Sequence, residues 1–211
     1  MNPLPACNHE RRLLLAALLV SPLLARVAGS HSRVPLPTCE WCGASEAPAE
    51  LSNRMQLATA DEPGERMHIT GTVWRADRRG PEKAPAADIL LYAYHTDAEG
   101  EYATRGDETG NGRRHGHLRG WLRTTSDGRY QIDTIRPAHY PGRHDPAHIH
   151  MTITEPGKTE YWIDNILFEG DRNLTPALRA KQEGRGGSGI IALQRNGDGV
   201  WLGERDIVLL A

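Results

Sequence analysis

From residue 67 onward, short apolar runs alternate with turn-forming residues, and this rhythm constrains the fold more than any other feature of the sequence. Gly, Asp, Asn and Pro mark the turns, which lie at residues 97–100, 126–128, 156–157 and 196–199. The apolar runs have the length of β-strands and lie at residues 67–74, 88–95, 117–124, 129–135, 147–154, 160–168, 189–194 and 200–210. Short strands in regular succession predict an all-β, two-sheet β-sandwich.

One segment departs from the strand pattern and predicts a helix. It covers residues 175–182, where Thr175 can cap the first turn and Pro176 occupies the first helical position. The sequence contains no internal repeat and no heptad pattern. We therefore expect one short helix among the strands.

The first 29 residues have the composition of an export signal. Arg11 and Arg12 precede an apolar stretch at residues 13–24, and small residues follow at 27–29, where a signal peptidase would cleave. The apolar stretch is shorter than the roughly 18 to 20 residues that span a bilayer as a helix, so no stable membrane insertion is expected. The sequence predicts export to the periplasm or the cell exterior, and the paired arginines leave the twin-arginine and general secretory routes both open.

Residues 30–66 are rich in Pro, Ala, Ser and Glu and show no clear periodicity. They are predicted to form an extended arm ahead of a β-sandwich domain at residues 67–211. Such an arm can wrap a second copy of the chain, so assembly into a homo-oligomer is a further expectation. Within the arm, Cys39 and Cys42 form a Cys-x-x-Cys, for which a local disulfide is expected, with a zinc site or a redox-active pair as alternatives.

Length and charge narrow the functional classes. With 211 residues, of which 38% are hydrophobic, the chain is long enough to bury a core of its own. Its formal net charge is -2, and the basic cluster at residues 113–123 contains a single aromatic residue, Trp121. Nucleic-acid binding requires an extended basic surface, so the sequence argues against a nucleic-acid partner.

Two histidines on one predicted strand suggest a metal site. One residue separates His148 from His150, so on a strand both imidazoles point to the same face while their apolar neighbours point to the other. A His-x-His pair alone is not specific, and a pair that binds no metal is an alternative. Tyr140 stands at the entrance to the same segment, however, and Tyr102 follows a predicted turn at the end of another strand. The four side chains together form a candidate ligand set.

The two tyrosines narrow the choice of metal. A phenol has a pKa near 10, so it binds as a phenolate only to a strongly Lewis-acidic cation. Phenolate oxygens combined with imidazole nitrogens suit Fe(III), whereas thiolates would favour zinc or copper. The sequence therefore predicts Fe(III) as the cofactor, with zinc or copper on the two histidines as the alternative.

A series of short motifs occupies residues 67–172 in a specific order. They are Gly-Thr-Val at 71–73, Asp-Ala-Glu-Gly-Glu-Tyr at 97–102, Arg-Gly at 119–120, Thr-Ser-Asp-Gly-Arg-Tyr-Gln-Ile-Asp-Thr-Ile-Arg-Pro at 125–137, Tyr-Pro at 140–141, Pro-Ala-His-Ile-His at 146–150 and Phe-Glu-Gly-Asp at 168–171. This order and content resemble the intradiol ring-cleavage dioxygenases, of the protocatechuate 3,4-dioxygenase and catechol 1,2-dioxygenase type. The resemblance implies a prealbumin-like β-sandwich and a non-haem Fe(III) enzyme. Such an enzyme inserts both atoms of O2 into a catechol-type ring and yields a cis,cis-muconate-type diacid.

The resemblance also implies a role for each ligand. Tyr102 and His148 look like the equatorial ligands of the family, and Tyr140 and His150 like the axial ones. Tyr140 would be the ligand that leaves and takes up a proton when an aromatic diol binds.

The sequence departs from the family pattern at two positions. Family enzymes usually carry an arginine three residues before the first ligand histidine, and here that position is Asp145. Arg143 is the predicted substitute, and Asn165 stands where the family often has a glutamine that orients the substrate. A secreted β-sandwich binding module, with an inert or absent metal, remains the alternative function.

Overall fold

A computed structural model describes residues 42–77 and 82–210, and its strands follow the apolar runs of the sequence. The strands are β1 Arg54–Gln56, β2 Arg66–Ala76, β3 Lys83–Pro85, β4 Leu90–His95, β5 Arg119–Arg123, β6 Arg129–Ile135, β7 His148–Thr154, β8 Tyr161–Trp162, β9 Ile166–Phe168, β10 Ile190–Ile191, β11 Leu193–Arg195, β12 Trp201–Glu204 and β13 Ile207–Leu210. Two short helices, α1 at Gly112–His115 and α2 at Pro176–Ala180, and a 3-10 turn at Ala44–Glu46 accompany them in the described residues.

The strands form two sheets that share one core. The first sheet has the order β1-β6-β2-β12-β11, with β3 and β13 also paired to β2, and the second has the order β10-β9-β7-β4-β5, with β8 paired to β7. Ile69 and Ile132 from the first sheet pack in the same buried cluster as Leu91 and Ile149 from the second. The described residues all belong to one compact unit. The prediction of an all-β, two-sheet sandwich is confirmed.

The predicted strand at residues 160–168 is divided into β8 and β9. Asp164 lies between the two strands and directs its polar groups toward the chain that follows α2. Its N–H donates to the carbonyl oxygen of Arg185 at 2.9 Å, and its carboxylate accepts the N–H of Gly184 at 2.7 Å. Because the N–H and the carboxylate of Asp164 bond to this loop rather than to a neighbouring strand, the strand is interrupted at Asp164.

The predicted strands at residues 189–194 and 200–210 are also divided, into β10 and β11 and into β12 and β13. Both β12 and β13 run parallel to β2. Between them, the carboxylate of Asp206 accepts the N–H of Thr72 and the indole N–H of Trp74, each at 2.9 Å. A side chain thus supplies the bond to β2 where the backbone ladder is interrupted.

Several short elements escape prediction from the sequence. β1 pairs in parallel with β6, and Met55 and Leu57 are only 2% and 5% exposed. Residues 54–58, which the sequence assigned to an extended arm, therefore supply a strand and core residues to the sandwich. β1, β3 and α1 are each three or four residues long, too short to show a periodicity.

The helix predicted at residues 175–182 is confirmed, although it ends earlier, at Ala180. The hydroxyl of Thr175 accepts the N–H of Leu178 at 3.2 Å, and Pro176 occupies the first turn. The cap satisfies an N–H that has no partner within the helix, and the proline has none to satisfy. Local sequence therefore determines where α2 begins.

The N-terminal predictions fall largely beyond the described part of the chain. The export signal predicted at residues 1–29 lies outside it, as does Cys39. Cys42 is disulfide-bonded, and its partner also lies outside the described residues. No helix within residues 42–77 and 82–210 combines the length and the apolar character that a membrane crossing requires.

Met55→Ala tests whether residues 54–58 belong to the core. The substitution is expected to lower the free energy of unfolding by about 2 to 5 kcal/mol, because it leaves a cavity among buried side chains. Denaturant titration of the purified protein measures the change. Gln56→Ala, on the exposed face of the same strand, is the matched control, and its effect should stay below about 0.5 kcal/mol. Equal effects of the two substitutions would contradict the assignment.

Candidate metal centre

β7 carries two imidazoles on the outer face of the second sheet. Its inner face is apolar, with Ile149, Met151 and Ile153 fully buried in the core. Because successive side chains of a strand alternate, His148 and His150 point away from that core. The predicted division of this strand into an apolar face and a chelating face is present in the structure.

Tyr102 approaches the same face from the turn that follows β4. The carboxylate of Asp97 accepts two backbone N–H groups of that turn, at 3.0 and 2.9 Å. Gly100 has a φ of +88°, and a Cβ on it would lie 2.0 Å from the carbonyl oxygen of His139. Only glycine permits this approach, which brings the turn of Tyr102 against the residue that precedes Tyr140.

The side-chain donor atoms of the four predicted ligands converge. The phenol oxygens of Tyr102 and Tyr140 are 2.5 Å apart, and the Nε2 atoms of His148 and His150 are 3.0 Å apart. The Tyr102 oxygen is 2.9 Å from His150 Nε2, and the Tyr140 oxygen is 3.2 Å and 3.4 Å from the two imidazole nitrogens. At usual metal–imidazole distances of about 2.0 to 2.1 Å, two ligands at a right angle lie about 3 Å apart. The observed separations therefore suit four ligands around a single cation.

Burial sets the protonation of this cluster. It raises the pKa of Tyr140 and of Tyr102, and the hydrogen bond between the two phenols raises the Tyr102 pKa further. Burial also lowers the pKa of His148 and, well below its usual value, that of His150. Neutral imidazoles offer a lone pair to a metal, whereas phenols in this environment ionise only against a strong positive charge. The cluster consequently favours a strongly Lewis-acidic cation.

The imidazole of His148 is oriented by a backbone partner on its other side. His148 Nδ1 donates to the carbonyl oxygen of Pro146 at 2.7 Å, so its Nε2 is the acceptor that faces the cluster. Such a partner fixes the tautomer and ring orientation of a metal-binding histidine. Asn165, predicted to orient a substrate, lines the same cleft as His150.

The imidazole of His150 packs on a stack of aromatic rings inside the protein. Its ring lies on that of Tyr94, with centroids 4.6 Å apart and planes at 20°, and Tyr94 lies on His115 at 3.8 Å and 5°. His115 Nδ1 is 2.7 Å from the phenol oxygen of Tyr92. Tyr92 and Tyr94 are fully buried on β4. The stack restricts rotation of the His150 ring by packing rather than by a hydrogen bond.

Asp171 joins the two ends of the loop between Tyr140 and His148. Its carboxylate is fully buried, accepts the N–H of Ala147 at 3.0 Å and lies 2.9 Å from His139 Nε2. Each of these two partners is the chain neighbour of a predicted ligand. Sequence reasoning missed this role, because the Phe-Glu-Gly-Asp motif does not reveal that its last side chain reaches back across the sheet.

Arg143 lies at the rim of the cluster. Its guanidinium carbon is 5.0 Å from the centre of the Tyr140 ring, and its Nε donates to Asp145 at 2.7 Å. The side chain is 65% exposed. The residue predicted to replace the missing arginine is therefore close to the cluster and ion-paired with the residue that occupies the arginine's position.

The cluster forms one wall of a cleft of about 620 Å³. This volume falls within the range of roughly 300 to 1,000 Å³ that is usual for small-molecule sites. All six predicted site residues line the cleft, together with other side chains; the full lining is Tyr102, Tyr140, Arg143, Asp145, Pro146, His148, His150, Asn165, Leu167, Leu178 and Gln182. The structure thus brings together every residue that the sequence nominated.

The donor set is unusual in its composition. Among residues 42–77 and 82–210, no group of three or more His, Cys, Asp or Glu side chains is placed to hold a metal ion. The two imidazoles are instead joined by two phenols, which gives two oxygen and two nitrogen donors. Hard oxygen donors combined with imidazoles suit iron better than they suit a metal that prefers thiolate ligands.

Comparisons with known proteins agree with the fold. A family model described as "Dioxygenase" matches residues 43–185 of the chain. The curated chlorocatechol 1,2-dioxygenase of Rhodococcus opacus is 31% identical over 132 residues, which cover 54% of this chain and 48% of the relative. The chain therefore spans about half the length of the curated relative that it matches.

Solved structures show the same architecture. The dioxygenase domain of a dioxygenase carbohydrate-binding protein fusion from Streptomyces sp. SirexAA-E has a TM-score of 0.53 and 26% identity, over 77% of this chain and 90% of that one. The 3-chlorocatechol 1,2-dioxygenase of Rhodococcus opacus 1CP shares the fold with a TM-score of 0.56 and 24% identity, over 80% of this chain and 69% of that one. From the family match over most of the described residues, and from the shared fold, the chain belongs to the intradiol ring-cleavage dioxygenase family.

Proposed function

We propose that the protein is a non-haem Fe(III) intradiol dioxygenase, which inserts both atoms of O2 into a catechol-type ring to give a cis,cis-muconate-type diacid. The observation that carries this proposal is the convergence of Tyr102, Tyr140, His148 and His150 at one point of a cleft. Family membership supports the same reaction class. An aromatic diol and O2 are the proposed substrates.

Ferric iron fits this donor set because two phenols with raised pKa values need a strongly Lewis-acidic partner to ionise. In the proposal, Tyr102, Tyr140, His148 and His150 hold the iron. Bound ferric iron supplies Lewis acidity, which draws electron density from a diol and favours its reaction with O2. The protein's own contribution is to orient the substrate, restrict water and handle protons.

Tyr140 is proposed to be the ligand that gives way to the substrate. Burial raises the pKa of its phenol, so a released Tyr140 phenolate is a strong base that takes a proton from a substrate hydroxyl at Oη. The Tyr102 oxygen, 2.5 Å away, offers a hydrogen-bond partner to the departing phenol. In this proposal the Tyr140 side chain both leaves the metal and removes the proton from the substrate.

Arg143 and Asn165 are proposed to assist in different ways. Arg143 supplies a positive charge at the cleft rim, where it can stabilise an electron-rich ring or an anionic product. Asn165 lines the same cleft as His150, where its amide can hydrogen-bond to the bound molecule. Neither role requires the arginine that Asp145 replaces.

Export to the periplasm or the cell exterior remains part of the proposal. The composition of residues 1–29 and the Cys-x-x-Cys at residues 39–42 support it, since disulfides persist in oxidising compartments. In this proposal the mature enzyme meets its diols outside the cytoplasm.

The first prediction from the proposed function concerns iron and colour. Protein produced with ample iron is expected to bind it in an equimolar amount and to be red to burgundy from phenolate-to-iron charge transfer. Tyr102→Phe should weaken and shift the visible absorption, because the Tyr140 phenolate remains, and His148→Ala should remove most of the iron. Elemental analysis and visible spectroscopy measure both properties.

Tyr161→Phe is the matched control for these substitutions, because the Tyr161 phenol bonds to Glu155 outside the cluster. Its iron content and colour should equal those of the unmodified protein. A colourless, iron-free protein would defeat the dioxygenase proposal and favour the binding module with an absent metal.

The second prediction concerns Arg143. Arg143→Ala is expected to lower kcat/KM for catechol oxidation about tenfold, of the order lost with one stabilising charge near the reacting atoms. Oxygen uptake measures the rate, and the visible band should persist because Arg143 is not a ligand. Unchanged turnover would exclude Arg143 as the substitute for the missing arginine.

The third prediction concerns Asp171. Asp171→Asn is expected to weaken iron binding about tenfold to a hundredfold, since it loosens the residues next to Tyr140 and His148. Competition with a chelator measures the affinity. Asp133→Asn is the control, because Asp133 bonds to Arg54 and His68 on the other sheet. A loss of stability in both variants, with iron affinity retained in both, would reduce Asp171 to a purely structural role.

A further inference from the structure

A second cavity opens beside the cleft and shares part of its wall. It has a volume of about 440 Å³ and is called the side cavity here. His150, Asn165 and Gln182 line both spaces. The remaining lining residues of the side cavity are Trp162, Ile163, Asp164, Lys181, Glu183 and Arg185. The side cavity is therefore adjacent to the cleft, with these three side chains between them.

The wall of the side cavity is tied into the sandwich. Asp164 donates its N–H to the carbonyl oxygen of Arg185 at 2.9 Å and accepts the N–H of Gly184 at 2.7 Å. The carbonyl oxygen of Asp164 in turn accepts a hydrogen bond at 2.6 Å from Arg205, which is 1% exposed. The loop that follows α2 is thus fastened to the core through a buried guanidinium, so the cavity has a defined shape.

The side cavity offers an aromatic surface close to the cluster. Trp162 lies half-buried on β8, and its ring meets that of His150 edge-to-face, with centroids 5.9 Å apart and planes at 68°. An indole provides a large apolar area at low cost in conformational entropy, which suits carbon chains and rings. The part of a ligand nearest to the metal cluster would therefore meet an apolar surface.

One positively charged side chain that lines the side cavity has no ion-pair partner among the described residues. Arg185 pairs with Glu183. The carboxylate of Asp164 accepts the backbone N–H of Gly184 at 2.7 Å. Lys181 is exposed at the end of α2, and no ion pair involves it in the part of the chain that the structure describes. The outer part of the cavity therefore favours an anionic group.

We infer that the side cavity binds a substituent of the diol, and that the preferred substrates are catechols bearing a short carbon chain that ends in a carboxylate. The inference rests on the proposed function, because the metal cluster is what holds the diol end. The chain passes Asn165 and Gln182, its apolar atoms lie against Trp162, and its carboxylate is close to Lys181. A plain catechol would occupy the cleft alone.

The test measures dissociation constants in the absence of O2, so it does not depend on turnover. Iron-loaded protein is titrated with catechol, propylcatechol, dihydroxyphenylpropanoate and dihydroxyphenylethylamine, and binding is followed by the change in the visible band. The propanoate is expected to bind about twofold to fivefold more tightly than propylcatechol, the size usual for one exposed ion pair. The amine is expected to bind more weakly than propylcatechol.

Charge reversal at Lys181 gives the decisive comparison. In Lys181→Glu the order should invert, with the amine binding more tightly than the propanoate. Lys158→Glu is the matched control, because Lys158 pairs with Glu155 and lines neither space. The control should keep the original order. Arg143→Ala tests whether the carboxylate lies in the cleft instead. If Arg143→Ala no longer prefers the propanoate over propylcatechol, while Lys181→Glu keeps that preference, the carboxylate lies in the cleft and the inference is overturned.

Failure of the inference and failure of the proposed function have different signatures. Iron-containing protein that binds all four diols with equal affinity would overturn the side-cavity inference and leave the dioxygenase proposal standing. Protein that takes up no iron, and whose spectrum does not respond to catechol, would overturn both.

Discussion

The alternation of side chains along β7 is the constraint on which both the core and the candidate metal site depend. Ile149 points into the sandwich while His148 and His150 point out of it. A register shift of one residue would bury the imidazoles and expose the isoleucine, at a cost in both hydrophobic burial and polar desolvation. Neighbours on both sides prevent it, since His150 pairs with Tyr94 of β4 and His148 with Leu167 of β9. Packing of the inner face therefore fixes the chemistry of the outer face.

Burial of the four candidate ligands creates an electrostatic demand that the proposed cation would satisfy. The same desolvation raises the pKa values of the two phenols and lowers those of the two imidazoles, so all four groups are driven toward their neutral forms. Four neutral polar groups within 2.5 to 3.4 Å of one another gain most from a positive charge among them. Binding of the proposed metal would consequently stabilise the native state, because a site assembled in the fold binds more strongly than the same side chains in an unfolded chain.

The sequence is sufficient for some features of the molecule and insufficient for others. The apolar runs predict the long strands well, because that signal is local. Spacing and motif order nominate four candidate ligands, and the structure brings their side chains together. The division at Asp164 escapes prediction, since its cause is a bond to a loop about twenty residues further along the chain. The role of Asp171 escapes for the same reason, because it reaches back to Ala147 and His139. β1 is too short to show alternation, although Met55 in it belongs to the core.

The parallel pairing of β12 and β13 with β2 has a consequence for the order of assembly. β2 lies near the start of the domain sequence, whereas β12 and β13 lie at its end. The first sheet therefore lacks two neighbours of β2, its longest strand, until residues 201–210 have been synthesised. Pairing between distant segments also makes folding slow relative to local structure formation. All four predicted ligands leave the ribosome earlier than these residues. We therefore expect pairing of the C-terminal strands, rather than synthesis of the four candidate ligands, to be the last step in completing the sandwich that carries the cleft.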